Sequence, residues 1–286
     1  MKIIDVHSHW GTRRGYTLRT PEELAQQKKT WNSEPTYHTE EEMAAYFRES
    51  NVQVILDFGF TKFMPLAEAA PVFDYGFETQ RAHPKEILGH WIHIDPATGT
   101  AGVRELRRCI DNAPAFIGFA VSGSGSGPPS DPQWFPFYEL CTEARIPALI
   151  FVGTTGLGAG LPGGNGIILD DCHPRHLDRV AAKFPQMTIV AARPGWPWQT
   201  ETLAVLMHKR DIWYELHGWS PKYFAADLKH DISRRLRDRV MFGADYPLFT
   251  YERLERDWRA EGYDEETLES VFHRNAERFL QQVARK

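Results

Sequence analysis

Apolar residues along this chain gather into eight short runs, at 2–7, 52–58, 87–94, 116–121, 147–152, 188–192, 212–216 and 240–243. Most lack the two-residue alternation of a strand with one wet face. Continuous apolar runs suit strands buried on both faces, as in a parallel sheet whose crossover helices cover it. The stretches between them carry helical spacing at 66–82, 102–110, 135–144, 173–184 and 198–209. Thr39, with Glu42 three residues later, forms a capping-box sequence, Pro174 suits a first helical turn, and Ser220 with Pro221 behind it predicts another helix start.

Eight strand–helix units predict an α/β chain folded as a (β/α)8 TIM barrel. A doubly wound sheet uses the same alternation and is the alternative. The polar, basic stretch 11–35 reads as an inserted loop region after the first strand, and 265–283 as an extra C-terminal helix packed outside the barrel. The whole chain, 1–286, is read as a single domain.

Composition narrows the partners. A net charge of −5 and a pI near 6.2 argue against nucleic acid and favour a small-molecule substrate. No apolar stretch approaches the length of a membrane span, and Asp5, His7 and His9 interrupt any apolar leader core, so no membrane partner and a cytoplasmic location are expected. A homo-oligomer is the expected assembly. Three widely spaced cysteines, Cys109, Cys141 and Cys172, support neither a disulfide framework nor a cysteine zinc site.

In a barrel of this kind the chemistry sits at the C-terminal strand ends. Those positions are His7 and His9, Asp57, His93, Ser122, Phe151, Arg193, His217 and Asp245. Residues two apart on a strand point the same way, so His7 and His9 can share a metal or a substrate. Asp245 ends an apolar run just before Tyr246-Pro247, where a carboxylate can serve as metal ligand or general base. Arg193 presents a fork suited to a carboxylate or phosphate. Asp57 can equally cap a loop, and His93 can equally be a core histidine. Whether His217 or Leu216 faces inward depends on strand register.

Two loops are rich in glycine, 122–127 and 153–166. The second contains Gly158-x-Gly160-x-x-Gly163, but Pro162 falls inside the pattern and no helix opens at its third glycine, so a dinucleotide fingerprint is rejected. A flap over the site is the expectation. Trp196, Trp198, Trp219, Tyr246 and Phe249 gather just past strand ends and suggest an aromatic-walled pocket.

The motifs His7-Ser8-His9, Gly243-Ala244-Asp245-Tyr246-Pro247 and Asn275-Ala276-Glu277-Arg278 resemble the amidohydrolase superfamily, specifically the "amidohydrolase 2" branch that includes aminocarboxymuconate-semialdehyde decarboxylase. The resemblance implies a barrel that binds a divalent metal, zinc or manganese, and hydrolyses or decarboxylates aromatic or related acids. It assigns His7, His9 and Asp245 as metal ligands. The chain departs from the pattern at two strand ends, with Phe151 where a third histidine ligand belongs and Arg193 where a histidine belongs. His93 or His217 can complete a metal site, and a metal-free layout like that of related lactonases is the alternative. The leading expectation is a hydrolase in which Asp245 activates water, with His217 and Arg193 assisting and Arg193, Trp196, Trp219, Ser122 and Tyr246 contacting substrate. A nonoxidative decarboxylase is the alternative, and a protein that only binds a small acid is a third reading.

Overall fold

The computed structural model describes residues 1–16, 20–32 and 34–284. Eight strands, β1 (Ile3–Ser8), β2 (Val52–Asp57), β3 (Ile87–Ile92), β4 (Phe116–Val121), β5 (Ala148–Phe151), β6 (Ile189–Ala192), β7 (Trp213–Glu215) and β8 (Val240–Met241), pair in parallel in chain order. The ring closes through backbone bonds between β1 and the residues after β8. Val6 N–H donates to the Phe242 carbonyl (3.0 Å), Asp245 N–H to that of His7 (3.2 Å), and His9 N–H to that of Tyr246 (2.7 Å). This is the TIM barrel that the apolar runs predict.

Helices α1 (Pro21–Trp31), α2 (Glu40–Glu49), α3 (Leu66–Ala82), α4 (Gly99–Ile110), α5 (Phe135–Ala144), α6 (Pro174–Lys183), α7 (Gln199–His208), α8 (Ala226–Ile232), α9 (Tyr251–Arg259), α10 (Glu265–Glu269) and α11 (Asn275–Ala284) complete the chain. Thr39 caps α2 with both bonds of the box in place, and Pro174 occupies the first turn of α6. Side chains inside the ring, among them Ile4, Ile55, Trp91, Leu149, Val190 and Met241, form one cluster; a larger one lies between strands and helices.

Three local expectations are corrected, and one helix is added. The stretch 11–35 contains α1, opened by a second capping box of Thr20 and Glu23; residues 17–19 and 33 of that stretch lie outside the described residues. Pro221 opens only a 3-10 turn, Pro221–Tyr223, and α8 begins at Ala226 without a side-chain cap from Ser220. The amphipathic α9 went unpredicted because most of its residues are charged. The C-terminal helix does not lie on the outer layer: Ala276 and Phe279 join the interior cluster, and Asn275 donates to the Val240 carbonyl at the start of β8. It therefore seals the end of the barrel opposite the strand C-termini.

Asp5 fastens the seam between the first and last strands. Its Oδ1 accepts from the His7 and Ala244 backbone N–H groups (3.0 and 3.1 Å), and its Oδ2 from the Tyr251 hydroxyl (2.8 Å) and the Ser8 hydroxyl. Burial outweighs these donors and pushes the Asp5 carboxyl up to about 6. Tyr251→Phe removes one donor from a fully buried acceptor and is expected to cost about 1–3 kcal/mol of unfolding free energy, read from the urea midpoint at unchanged slope. A midpoint within error of the native value would mean that the seam does not depend on this bond.

Candidate active site

β1 delivers His7 and His9 to the C-terminal mouth, and β7 delivers Glu215 and His217 by the same two-residue spacing. The His7 and His217 rings stack, with centroids 3.6 Å apart and planes 12° from parallel. Glu215 Oε1 lies 2.6 Å from His217 Nδ1 and 3.0 Å from His7 Nδ1, while Oε2 accepts the His217 backbone N–H (2.9 Å). Arg193 Nε donates to His217 Nε2 (3.0 Å), so that nitrogen is an acceptor and the His217 proton sits on Nδ1, facing Glu215. Burial, reinforced by the Arg193 charge, holds His217 well below the usual imidazole range. Burial and the neighbouring His217 bring His7 down to about 4.

Two more carboxylates face the same space. Asp245 Oδ1 lies 3.1 Å from His9 Nε2. Burial alone would raise the Asp245 carboxyl, but the adjacent His9 together with the Arg193 charge holds it well below the ordinary range. In return, Asp245 and Asp57 overcome the burial of His9 and raise its pKa. Asp57 Oδ2 bonds His93 Nε2 (2.8 Å) and lies 3.6 Å from His7 Nε2, while Oδ1 lies 3.6 Å from His9 Nδ1. These histidines override burial and keep the Asp57 carboxyl ionised.

Backbone strain marks the same positions. Arg193 (φ 76°) and Asp245 (φ 63°) are side-chain-bearing residues held in the left-handed region, which costs free energy and is tolerated where a side chain must be aimed. Gly218 makes room for that aim, since a Cβ there would sit 3.2 Å from Asp245 Oδ2.

A cavity of about 510 Å³ opens over these groups. Its walls include Tyr16, Phe60, Phe151, Trp219, Tyr223 and Phe249, with His9, Lys62, His93, Ser122, Arg193 and Asp245 among the polar lining. Thr154 to Leu157, from the glycine-rich stretch, contribute one wall. His217 is fully buried beneath the cavity rather than turned outward.

Two residues expected to contact substrate do not line it. Tyr246 packs outward against Tyr46, Phe47 and Tyr251, as alternation requires once Asp245 points in. Trp196 is 46% exposed at the rim, its ring 5.8 Å from that of Trp219. Sequence reading missed Glu215 and Lys62. The Glu215-x-His217 spacing, a copy of His7-x-His9, was the available signal for the first; Lys62 sits in a turn and had none.

A family model for amidohydrolases (Amidohydro_2) matches residues 4–282. The chain belongs to that family. No curated protein matches it. Among solved structures, an uncharacterized TIM-barrel protein from Bordetella bronchiseptica superimposes with a TM-score of 0.77 at 19% identity, covering 99% of this chain and 100% of that one. A 5-carboxyvanillate decarboxylase from Sphingomonas paucimobilis gives 0.69 at 15% identity, with 98% and 99% covered. A dihydroxybenzoic acid decarboxylase from Polaromonas sp. JS666, with bound manganese and the inhibitor 2-nitroresorcinol, gives 0.69 at 13% identity, with 98% and 97% covered.

In this chain the residues fit a divalent cation. Two groups bring ligand atoms within 4.8 Å of one another, His7 with His9 and Asp57, and His7 with Glu215 and His217. Neither His7 ring nitrogen makes an aligned hydrogen bond, nor does Asp57 Oδ1, although all three are buried. Buried polar atoms left without partners are what a missing ligand leaves behind. Imidazole with carboxylate suits zinc or manganese. The carboxylate that joins both β1 imidazoles is Asp57; Asp245, expected in that place, comes within 4.0 Å of His9 only.

Ligation requires an unprotonated imidazole, so an ion taking His9 must displace the proton that Asp245 holds there. Asp245 and Asp57 raise the His9 pKa, so the proton is held to higher pH than on a free imidazole and is lost as pH rises further, and metal affinity rises with it. Calorimetric titration with Mn2+, in two buffers of different ionisation enthalpy, is expected to report proton release on binding that is larger at pH 6.5 than at pH 8. Asp245→Asn is expected to reduce that release. A native protein that binds Mn2+ with no proton release would contradict the placement of His9 among the ligands.

Proposed function

We propose that this protein removes carbon dioxide, without oxidation, from an aromatic acid. The observation that carries the reading is the pairing of Asp245 with His9 at the floor of an aromatic-walled cavity that also holds the Arg193 guanidinium. Protonating a ring carbon takes a strong acid, and the depressed pKa of Asp245 makes its neutral form one. Solvent entering the cavity that Asp245 lines returns the proton to it. The proton adds to the ring carbon that bears the carboxylate, the bond to the carboxylate breaks, its electron pair restores the aromatic ring, and carbon dioxide leaves. The likeness to barrels named as aromatic-acid decarboxylases is in keeping with this chemistry.

Arg193 gives Nε to His217 and Nη1 to the Thr154 carbonyl (2.9 Å), which immobilises the guanidinium and leaves Nη2 for a substrate carboxylate. Phe151, at the position that departs from the family pattern, lies under that guanidinium at 5.2 Å and supports it. A divalent ion held by His7, His9 and Asp57 would supply Lewis acidity toward a substrate oxygen.

Hydrolysis is the second reading, favoured by the ionised state of Asp245, which suits a base that takes a proton from water. A panel of hydroxybenzoic acids, aryl lactones and aryl esters separates the two. Carbon dioxide released from an acid, with Asp245→Asn lowering turnover about a hundredfold or more, supports decarboxylation. Ring opening of a lactone without carbon dioxide would replace it with hydrolysis. With the active substrate, Arg193→Lys keeps a cation but loses the fork and is expected to weaken binding by roughly 1.5–3 kcal/mol. An unchanged KM with only a shifted pH optimum would mean that Arg193 moves protons instead of holding the substrate.

A further inference from the structure

The cavity is larger than a single-ring acid needs. A void of about 150 Å³ holds benzene, so by heavy-atom count a monohydroxybenzoate needs roughly 250 Å³. The cavity measures about 510 Å³, so such a ligand leaves roughly half of it empty. Empty space beside apolar walls forfeits contacts that a larger ligand would make.

The walls show where the spare volume leads. β7 and β8 are neighbours in the ring, and the loops that follow them bring Trp219, Tyr223, Leu248 and Phe249 to the cavity. Aromatic rings run outward from the reacting groups. Phe151 is buried at the floor, Trp219 and Phe249 are half-buried, and Tyr223 lines the cavity while remaining 58% exposed. Trp219 and Tyr223 meet edge to face, with centroids 6.3 Å apart and planes at 76°. Beyond Asp245, the charged side chain on this wall is Arg253, whose guanidinium lies 4.9 Å over the Phe249 ring. Scattered exposed apolar side chains need no explanation, but a contiguous aromatic surface that adjoins a cavity marks where a ligand lies.

We propose that the substrate carries a second aromatic ring, joined to the one that bears the carboxylate, and that Trp219, Tyr223 and Phe249 form the subsite that receives it. This deepens the proposed function and rests on the same cavity being the reaction site. With the carboxylate at Arg193 and the reacting carbon beside Asp245, the second ring extends toward the mouth, where it meets ring faces and edges of this wall. The subsite selects its ligand by apolar contact and shape rather than by charge.

Calorimetric titration of the purified protein at pH 7 with benzoate, biphenyl-3-carboxylate and biphenyl-4-carboxylate tests this without requiring any reaction. At least one biphenyl acid is expected to bind about tenfold more tightly than benzoate. Tyr223→Ala is expected to cut that ratio about threefold or more. Equal affinities for all three acids, or a Tyr223→Ala variant that weakens benzoate and the biphenyl acids alike, would overturn the proposal. A variant that keeps the ratio and changes only its sedimentation would also overturn it, since the rim would then face a second copy of the chain. If Tyr223→Ala does not fold, the native comparison and the same ratio in Phe249→Leu decide the matter. The outcome is separable from the reaction: carbon dioxide released from single-ring acids by a protein with no biphenyl preference would sink the second ring and leave decarboxylation standing, and lactone opening by a protein with that preference would do the reverse.

Discussion

The carboxylate of Asp5 is the point on which the site depends. A barrel of eight strands must join its first strand to its last, and here β8 is only two residues long, so the ladder itself contributes little at that join. Asp5 takes over, gathering four donors from β1, from Ala244 and from Tyr251 of α9 into one buried group. Ser8 extends the seam by accepting the Tyr246 backbone N–H while donating to Asp5. The consequence is positional. With β1 and the residues after β8 locked together, His9 and Asp245 meet at 3.1 Å although they are far apart in sequence.

Above that seam the chemistry is governed by the cost of buried charge. Asp57, Glu215 and Asp245 all lie in the interior, and each has at least one histidine beside it: His93 for Asp57, His217 for Glu215, His9 for Asp245. Burial and pairing together push the groups apart in proton affinity. His7 and His217 are driven down and stay neutral, His9 is raised, and Asp57 and Asp245 are held ionised. Neighbouring titratable groups separated in this way are what acid–base chemistry at neutral pH requires. Arg193 adds its charge to the groups that hold Asp245 ionised, and Lys62 rests on the backbone carbonyls of Ser122 and Ser124.

Much of the barrel was legible in the sequence because strands buried on both faces must be apolar throughout. The mouth residues His7, His9, Arg193 and Asp245 were legible because polar groups ending such runs have few other places to go. Side-chain direction was not: Leu216 joins the outer core while His217 turns inward, and only strand register decides between them. Glu215 was hidden because a carboxylate within a strand reads as an edge or surface residue until its pairing with His217 is seen. Asp57 read equally as a loop cap and proved to be the hub of three imidazoles. Lys62 could not be found from spacing, since its partners are backbone carbonyls of a distant loop. The helix α1 was overlooked although Thr20 and Glu23 carried the same cap signal that was used for α2.

The proposed chemistry turns on where one proton goes. A hydrolase delivers water to its substrate, whereas a decarboxylase delivers a solvent-derived proton to carbon. Running the reaction in D2O on whichever aromatic acid the protein consumes, and reading the product by proton NMR, separates these outcomes. The account predicts one deuterium bonded to carbon at the ring position vacated by the carboxylate. Substrate consumed with no carbon-bound deuterium at that position would contradict it.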